Sequence, residues 1–208
     1  PEKPQPPQQQ EDVTTYITTS DGIRLFSKGS LKFAKPGSLS PNQLRFESDA
    51  AAKEVDGFGL AVTTASAYNL LKMSQEDRTA ILTELFSPTE GAGSGLIRVS
   101  IGASDFCLKD EYTWCDTKGL ENFAVAKEDK DYLFPVLKEI YAINPNVKII
   151  GSPWSCPKWM KGGSYGYEKF DKQYLERDFP NWTSGRLKPS CYADYATYFV
   201  KWIQTMQS

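Results

Sequence analysis

The sequence predicts an α/β fold built on a parallel sheet, and three observations carry that expectation. From Val55 onward, short β-branched runs alternate three times with helical patterns, and strand–helix–strand connections join parallel neighbours. The helical runs place apolar residues at i, i+3, i+4 and i+7, one face of an amphipathic helix. Before Val55 the rhythm differs: threonine, aromatic and branched residues surround Asp21-Gly22, the signal of an antiparallel hairpin.

The elements follow in chain order. Residues 1–12, "PEKPQPPQQQED", hold four prolines and four glutamines in the first ten positions and nothing to bury, so they read as a disordered leader or tether. "VTTYITTSDGIRLFSKGSLKF" is the hairpin, and "NQLRFESDA" a further strand. "VDGFGLAV" opens the α/β part as a strand. The helix after it starts at a capping-box-like Ser74 and Asp77, with Ile81, Leu82, Leu85 and Phe86 on one face. "GLIRVSIG" is the second strand and "EDKDYLFPVLKEIYA" the second helix. Leu133, Val136, Leu137, Ile140 and Tyr141 form its apolar side, and Pro135 fits only in a first turn. "VKIIGSPW" is the third strand. Tyr195, Tyr198, Phe199, Trp202, Ile203 and Met206 give the third helix its stripe.

Composition removes several function classes. At 40% hydrophobic and 24% charged, with net charge −2, the chain is an ordinary globular sequence. It has no basic block to meet nucleic acid or an anionic membrane, and no apolar run approaches a membrane span. There is no histidine, which excludes Ser-His and Cys-His nucleophile pairs. Cys107, Cys115, Cys156 and Cys191 contain no C-x-x-C pair, so the spacing gives no zinc site. Two disulfides or four thiols are both open, and four thiols suit a chain of this length better. "GAGSG" at 91–95 precedes a strand, so it reads as a turn rather than a phosphate loop. "KEDKD" at 127–131 reads as a solvated helix start. No metal and no cofactor are expected. The numbering begins at Pro1, which is consistent with a signal peptide already removed.

In α/β folds the loops leaving strand C-termini hold the site. Three residues occupy such places. Trp154 follows the third strand on a proline-stiffened loop, "SPWSCPKWMK". Its ring is either a platform for the C–H face of a pyranose or a plug on the core. Trp159 suits the core better. Arg98 lies mid-strand on the face opposite Ile97, Val99 and Ile101, where a guanidinium needs a carboxylate partner, either structural or functional. Asp105, just past the same strand, is either an Asx-turn residue or an acceptor for sugar hydroxyls.

Five segments, "VDGFGLAVTTASAYNLL", "GLIRVSIGASDFC", "YTWCDT", "IIGSPWSCPKWMK" and "YADYATYFVKWI", occur in the order and spacing of glycoside hydrolase family 30, which includes glucosylceramidase-like enzymes. The chain resembles that family from about Glu54 onward. The resemblance implies the N-terminal part of a (β/α)8 TIM barrel, with N-terminal β-strands belonging to a β-sandwich side domain. It divides the chain into leader 1–12, sandwich strands 13–53 and the first three βα units over 54–208. It further implies that Asp105 and Trp154 bind substrate in the −1 subsite and that Arg98 supports the nucleophile. Two positions depart from the family pattern: Leu60 stands for its fourth Gly-Phe-Gly-Gly residue and Thr64 for an acid. The family's acid/base glutamate follows an asparagine, yet the chain contains no Asn-Glu dipeptide. Both catalytic glutamates are therefore expected after Ser208.

The implied protein is a retaining β-glycosidase acting on a β-glucoside or a related oligosaccharide or glycolipid. It would be secreted, periplasmic or tethered to the cell surface, with sphingolipid metabolism among its possible settings. Its implied partners are the remainder of its own barrel and the substrate, with no nucleic acid and no integral membrane segment. A non-catalytic carbohydrate-binding protein that keeps Asp105 and Trp154 is the alternative.

Overall fold

The computed structural model describes residues 13–32, 55–163 and 172–208. The leader and the "NQLRFESDA" strand lie outside the described residues. The chain divides into two compact units with the boundary between Val55 and Asp56.

In the first unit, β1 (Val13–Ile17) pairs antiparallel with β2 (Ser27–Leu31), from Val13↔Leu31 to Ile17↔Ser27. The predicted hairpin is present, but its connection is longer than a two-residue turn. Asp21 accepts the Ile23 N–H at 3.0 Å, Thr19 N–H donates to Arg24 O at 2.9 Å, and Gly22 supplies the left-handed φ of 71°. The Tyr16 and Phe26 rings stack with centroids 4.8 Å apart.

The second unit is built on a parallel sheet of β3 (Gly59–Ala61), β4 (Leu96–Ile101) and β5 (Lys148–Pro153), with β4 central. Helices α1 (Thr64–Lys72) and α2 (Gln75–Phe86) connect β3 to β4, and α3 (Phe134–Ile143) connects β4 to β5. A two-stranded ribbon of β6 (Lys161–Gly162) and β7 (Arg186–Leu187), with the short α4 (Lys172–Glu176) between them, leads to α5 (Tyr192–Gln207). Among the described residues no helix is long and apolar enough to cross a membrane.

Alternation along β4 sorts the two faces. Ile97, Val99 and Ile101 are buried in one continuous core with Leu82, Phe86, Val136, Leu137, Ile140, Tyr198 and Trp202. Each such side chain contributes roughly 1.5–3 kcal/mol on burial. Gly151 on β5 makes room for the Trp202 ring, since a Cβ there would lie 2.7 Å from the indole. On the other face, Ala61, Arg98 and Ile150 form a row across the three strands. Arg98 is exposed, and Ile150 stands 51% exposed.

The predicted helices form with instructive differences. Ser74 caps α2, its hydroxyl accepting the Asp77 N–H at 3.1 Å. Helix α1 was not expected from the sequence; it is capped by Thr63, which accepts the Ser66 N–H at 3.3 Å. At the margins of the predicted apolar faces, Ile81, Tyr141 and Ile203 remain exposed, because the neighbouring Leu82, Ile140 and Trp202 take the core positions. The Tyr141 hydroxyl instead donates to Val147 O at 2.9 Å. Pro135 does fall in the first turn of α3, behind a π-turn over Asp129–Leu133 closed by Phe134 N–H to Asp129 O. The wider turn accommodates the missing proline N–H. The reading of "KEDKD" as wholly solvated is corrected here. Lys127 and Asp131 form an exposed ion pair, but Asp129 is only 1% exposed, because its carboxyl is taken up by two buried aromatic donors.

Candidate active site

The parallel register fixes where the loops emerge. Ile101, the last residue of β4, is paired with Pro153, the last residue of β5. Asp105, four residues past β4, and Trp154, the first past β5, therefore leave the same C-terminal end of adjacent strands. Arg98 lies three residues below the end of β4, in register with Ile150. Asp105 and Trp154 thus follow the C-terminal ends of neighbouring parallel strands, and Arg98 lies within the first of those strands.

Arg98, Asp105 and Trp154 are all exposed. Among the described residues, the side chains of Arg98 and Asp105 have no hydrogen-bond or ion-pair partner. No backbone N–H donates to the Asp105 carboxyl among the described residues. The local turn is made by Ser104 instead, whose hydroxyl accepts the Phe106 N–H at 3.4 Å. Trp154 is 48% exposed. Trp159 does pack inward, and its indole N–H donates to Cys115 O at 2.9 Å.

The loop carrying Asp105 is tightly built. Gly102 adopts φ 83°, and a Cβ there would come 2.7 Å from Tyr112 O. Ala103 N–H then donates to that same carbonyl at 2.9 Å, closing a loop over 104–111. Cys107 tucks beneath it, accepting Ser104 N–H at 3.2 Å. Burial pushes the Cys107 thiol up, but hydrogen bonds from Ser104, Thr64 and Ser100 outweigh this and bring it below its usual value. Thr64, where the family pattern has an acid, is fully buried at the start of α1 and accepts the Leu108 N–H at 3.3 Å. Glu111 pairs with Lys158, tying this loop to the segment after Trp154. All four cysteines are free thiols, and no group of three or more His, Cys, Asp or Glu could hold a metal among the described residues.

Sequence reasoning missed the support beneath this loop. Asp129 accepts the Trp114 indole N–H at 2.7 Å and the Tyr112 hydroxyl at 3.3 Å. The signal available was an acid in a charge run, with two aromatics of "YTWCDT" unassigned. Burial raises the Asp129 carboxyl to about 7, while the two hydrogen bonds pull it down.

Residues 55–208 match the Glycosyl hydrolase family 30 TIM-barrel domain. The Endo-1,6-beta-D-glucanase neg1 of Aspergillus fumigatus is 33% identical over 83% of this chain and 36% of its own length. The mouse lysosomal acid glucosylceramidase is 30% identical over 70% of this chain and 29% of its own length. Among solved structures, an endo-beta1,6-glucanase superposes with a TM-score of 0.75 and 47% identity, over 93% of this chain and 39% of that one. The chain thus spans less than two fifths of the length of these relatives. Matched over three quarters of its residues, with the parallel strands and loops described above, the chain belongs to glycosyl hydrolase family 30.

Proposed function

We propose that the protein containing this chain hydrolyses β-1,6-linked glucan by a retaining mechanism, with Arg98, Asp105 and Trp154 forming part of its −1 subsite. The observation that carries this reading is the placement of Asp105 and Trp154 at the same end of adjacent parallel strands, both exposed and with no side-chain hydrogen bond among the described residues. The linkage is drawn from the solved endo-beta1,6-glucanase, whose 47% identity exceeds the 30% of the glucosylceramidase.

Retaining hydrolysis needs two carboxyls about 5 to 5.5 Å apart, one protonating the leaving oxygen and one attacking the anomeric carbon. We assign both to glutamates outside these 208 residues, since no Asn-Glu dipeptide occurs within them. In this scheme Asp105 accepts hydrogen bonds from ring hydroxyls and Trp154 offers an indole surface to the C–H face of the sugar. Arg98 keeps the nucleophilic carboxylate ionised. Residues 13–53 belong to a β-sandwich side domain, and residues 1–12 tether a secreted or surface protein.

The test is turnover by the full-length protein on a β-1,6-glucan, a β-1,4-glucan and glucosylceramide, with proton NMR of the first-formed product. The expected result is preferred cleavage of the β-1,6-glucan with β-anomer released first. Preference for glucosylceramide would overturn the linkage, and α-anomer first would overturn the mechanism. Binding without cleavage would favour a carbohydrate-binding protein.

A further inference from the structure

The loop that presents Asp105 has two necks. One is the end of β4, where Ile101 to Ser104 are all buried. The other is Tyr112 to Cys115, also buried throughout. Backbone bonding joins the necks through Ala103 N–H and Tyr112 O. The second neck meets the helical layer through two polar attachments. Trp114 N–H donates to the Tyr198 hydroxyl of α5 at 3.2 Å. The Tyr112 hydroxyl and the Trp114 indole N–H both converge on the Asp129 carboxyl, at the π-turn entering α3.

A carboxyl at that depth is costly. Among the described residues Asp129 has no cationic partner, and its neighbour Glu128 adds a like charge. An apolar side chain would pack against two aromatic rings without that cost. An apolar contact would, however, leave the buried indole N–H and phenol unsatisfied and the ring orientations unspecified. Both carboxyl oxygens are used, one per ring, so the acid fixes two residues of the neck in register with the loop. π-Turns of this kind recur at functional positions, and here the turn brings Asp129 inward from a run of otherwise solvated charges.

We infer that Asp129 is a positioning residue, whose bonds to Tyr112 and Trp114 hold the 104–111 loop so that Asp105 meets the sugar hydroxyls. This rests on the proposed role of Asp105. It goes further by naming a residue outside the substrate's reach that acts through another.

The experiment is a double-mutant cycle in the full-length protein, assayed on β-1,6-gluco-oligosaccharides and paired with amide hydrogen exchange. Asp129→Ala should lower kcat/KM by roughly 10- to 100-fold, the scale of a displaced binding group. In an Asp105→Ala background the same change should cost less than about 2-fold, because there is no longer an Asp105 to misplace. Asp129→Asn, which keeps an acceptor for the indole, should stay within about 3-fold of the parent. Amides at Ala103, Cys107 and Leu108 should exchange at least about 10-fold faster in Asp129→Ala, while those of β4 stay unchanged. Tyr112→Phe, which keeps the ring, should loosen the same amides by a smaller factor and remains informative if Asp129→Ala does not fold. Equal losses with and without Asp105, or unchanged loop exchange, would overturn the inference. Should Asp105→Ala itself leave kcat/KM intact, the proposed site fails, and loop exchange alone then decides whether Asp129 holds the loop.

Discussion

Trp114 donates its indole N–H to Asp129 at 2.7 Å across fifteen residues of sequence, coupling a buried acid to the base of the candidate site. Burial raises that acid from an ordinary 3.8 to about 7. The folded state therefore holds the proton more tightly than the unfolded chain. The stability tied to the protonated carboxyl is fully present below about pH 4 and is lost as pH rises through about 7, a change on the order of 4 kcal/mol. Asp129→Asn carries no such titration. In thermal unfolding of the full-length protein, the variant should gain on the parent between pH 5 and pH 8. A constant difference in Tm across that range would contradict the burial effect.

Gly102→Ala should destabilise by about 1–3 kcal/mol. Its φ of 83° is unfavourable for any Cβ, and the new methyl would press on Tyr112 O. Chemical denaturation reads this directly. A loss under 0.5 kcal/mol would mean that the loop necks are not as closely joined as the geometry requires.

The two tryptophans of the β5 loop should separate cleanly. Trp154→Ala removes a half-exposed ring, so it should raise KM on β-1,6-gluco-oligosaccharides with little change in Tm. Trp159→Ala loses core contacts and the bond to Cys115 O, so it should cost about 3–5 kcal/mol of stability. The reverse pattern would make Trp154 a core residue and remove the sugar platform.

Arg98→Ala should lower kcat and move the acidic limb of the pH–rate profile upward, because the nucleophile loses a cation that favours its ionised form. An unshifted limb would show that Arg98 does not face that carboxylate.

Much of this arrangement was legible in the sequence. The period-2 alternation of β4 sorted Ile97, Val99 and Ile101 from Arg98, and Ser74 marked the start of α2, because both signals are local. Helix α1 escaped because Thr64, Ser66, Tyr68 and Asn69 have middling helix propensity and only packing against the sheet decides their state. Asp129 escaped for a different reason. Its burial depends on Trp114 and Tyr112, fifteen and seventeen residues earlier, and a charge run looks the same whether or not one member turns inward. Position marked Asp105 and Trp154 as candidates, but only likeness to the family gave them roles.

The most direct test of the proposed site is kcat/KM of the full-length protein and its Asp105→Ala variant on a β-1,6-gluco-oligosaccharide. Hydrogen bonds from Asp105 to ring hydroxyls that strengthen in the transition state predict measurable parent turnover and a fall of roughly 100-fold, about 3 kcal/mol, in the variant. The variant should keep the parent's Tm, since Asp105 has no partner among the described residues. Turnover by the variant within about 3-fold of the parent would contradict the account, because Asp105 would then stand at the end of β4 without touching the sugar.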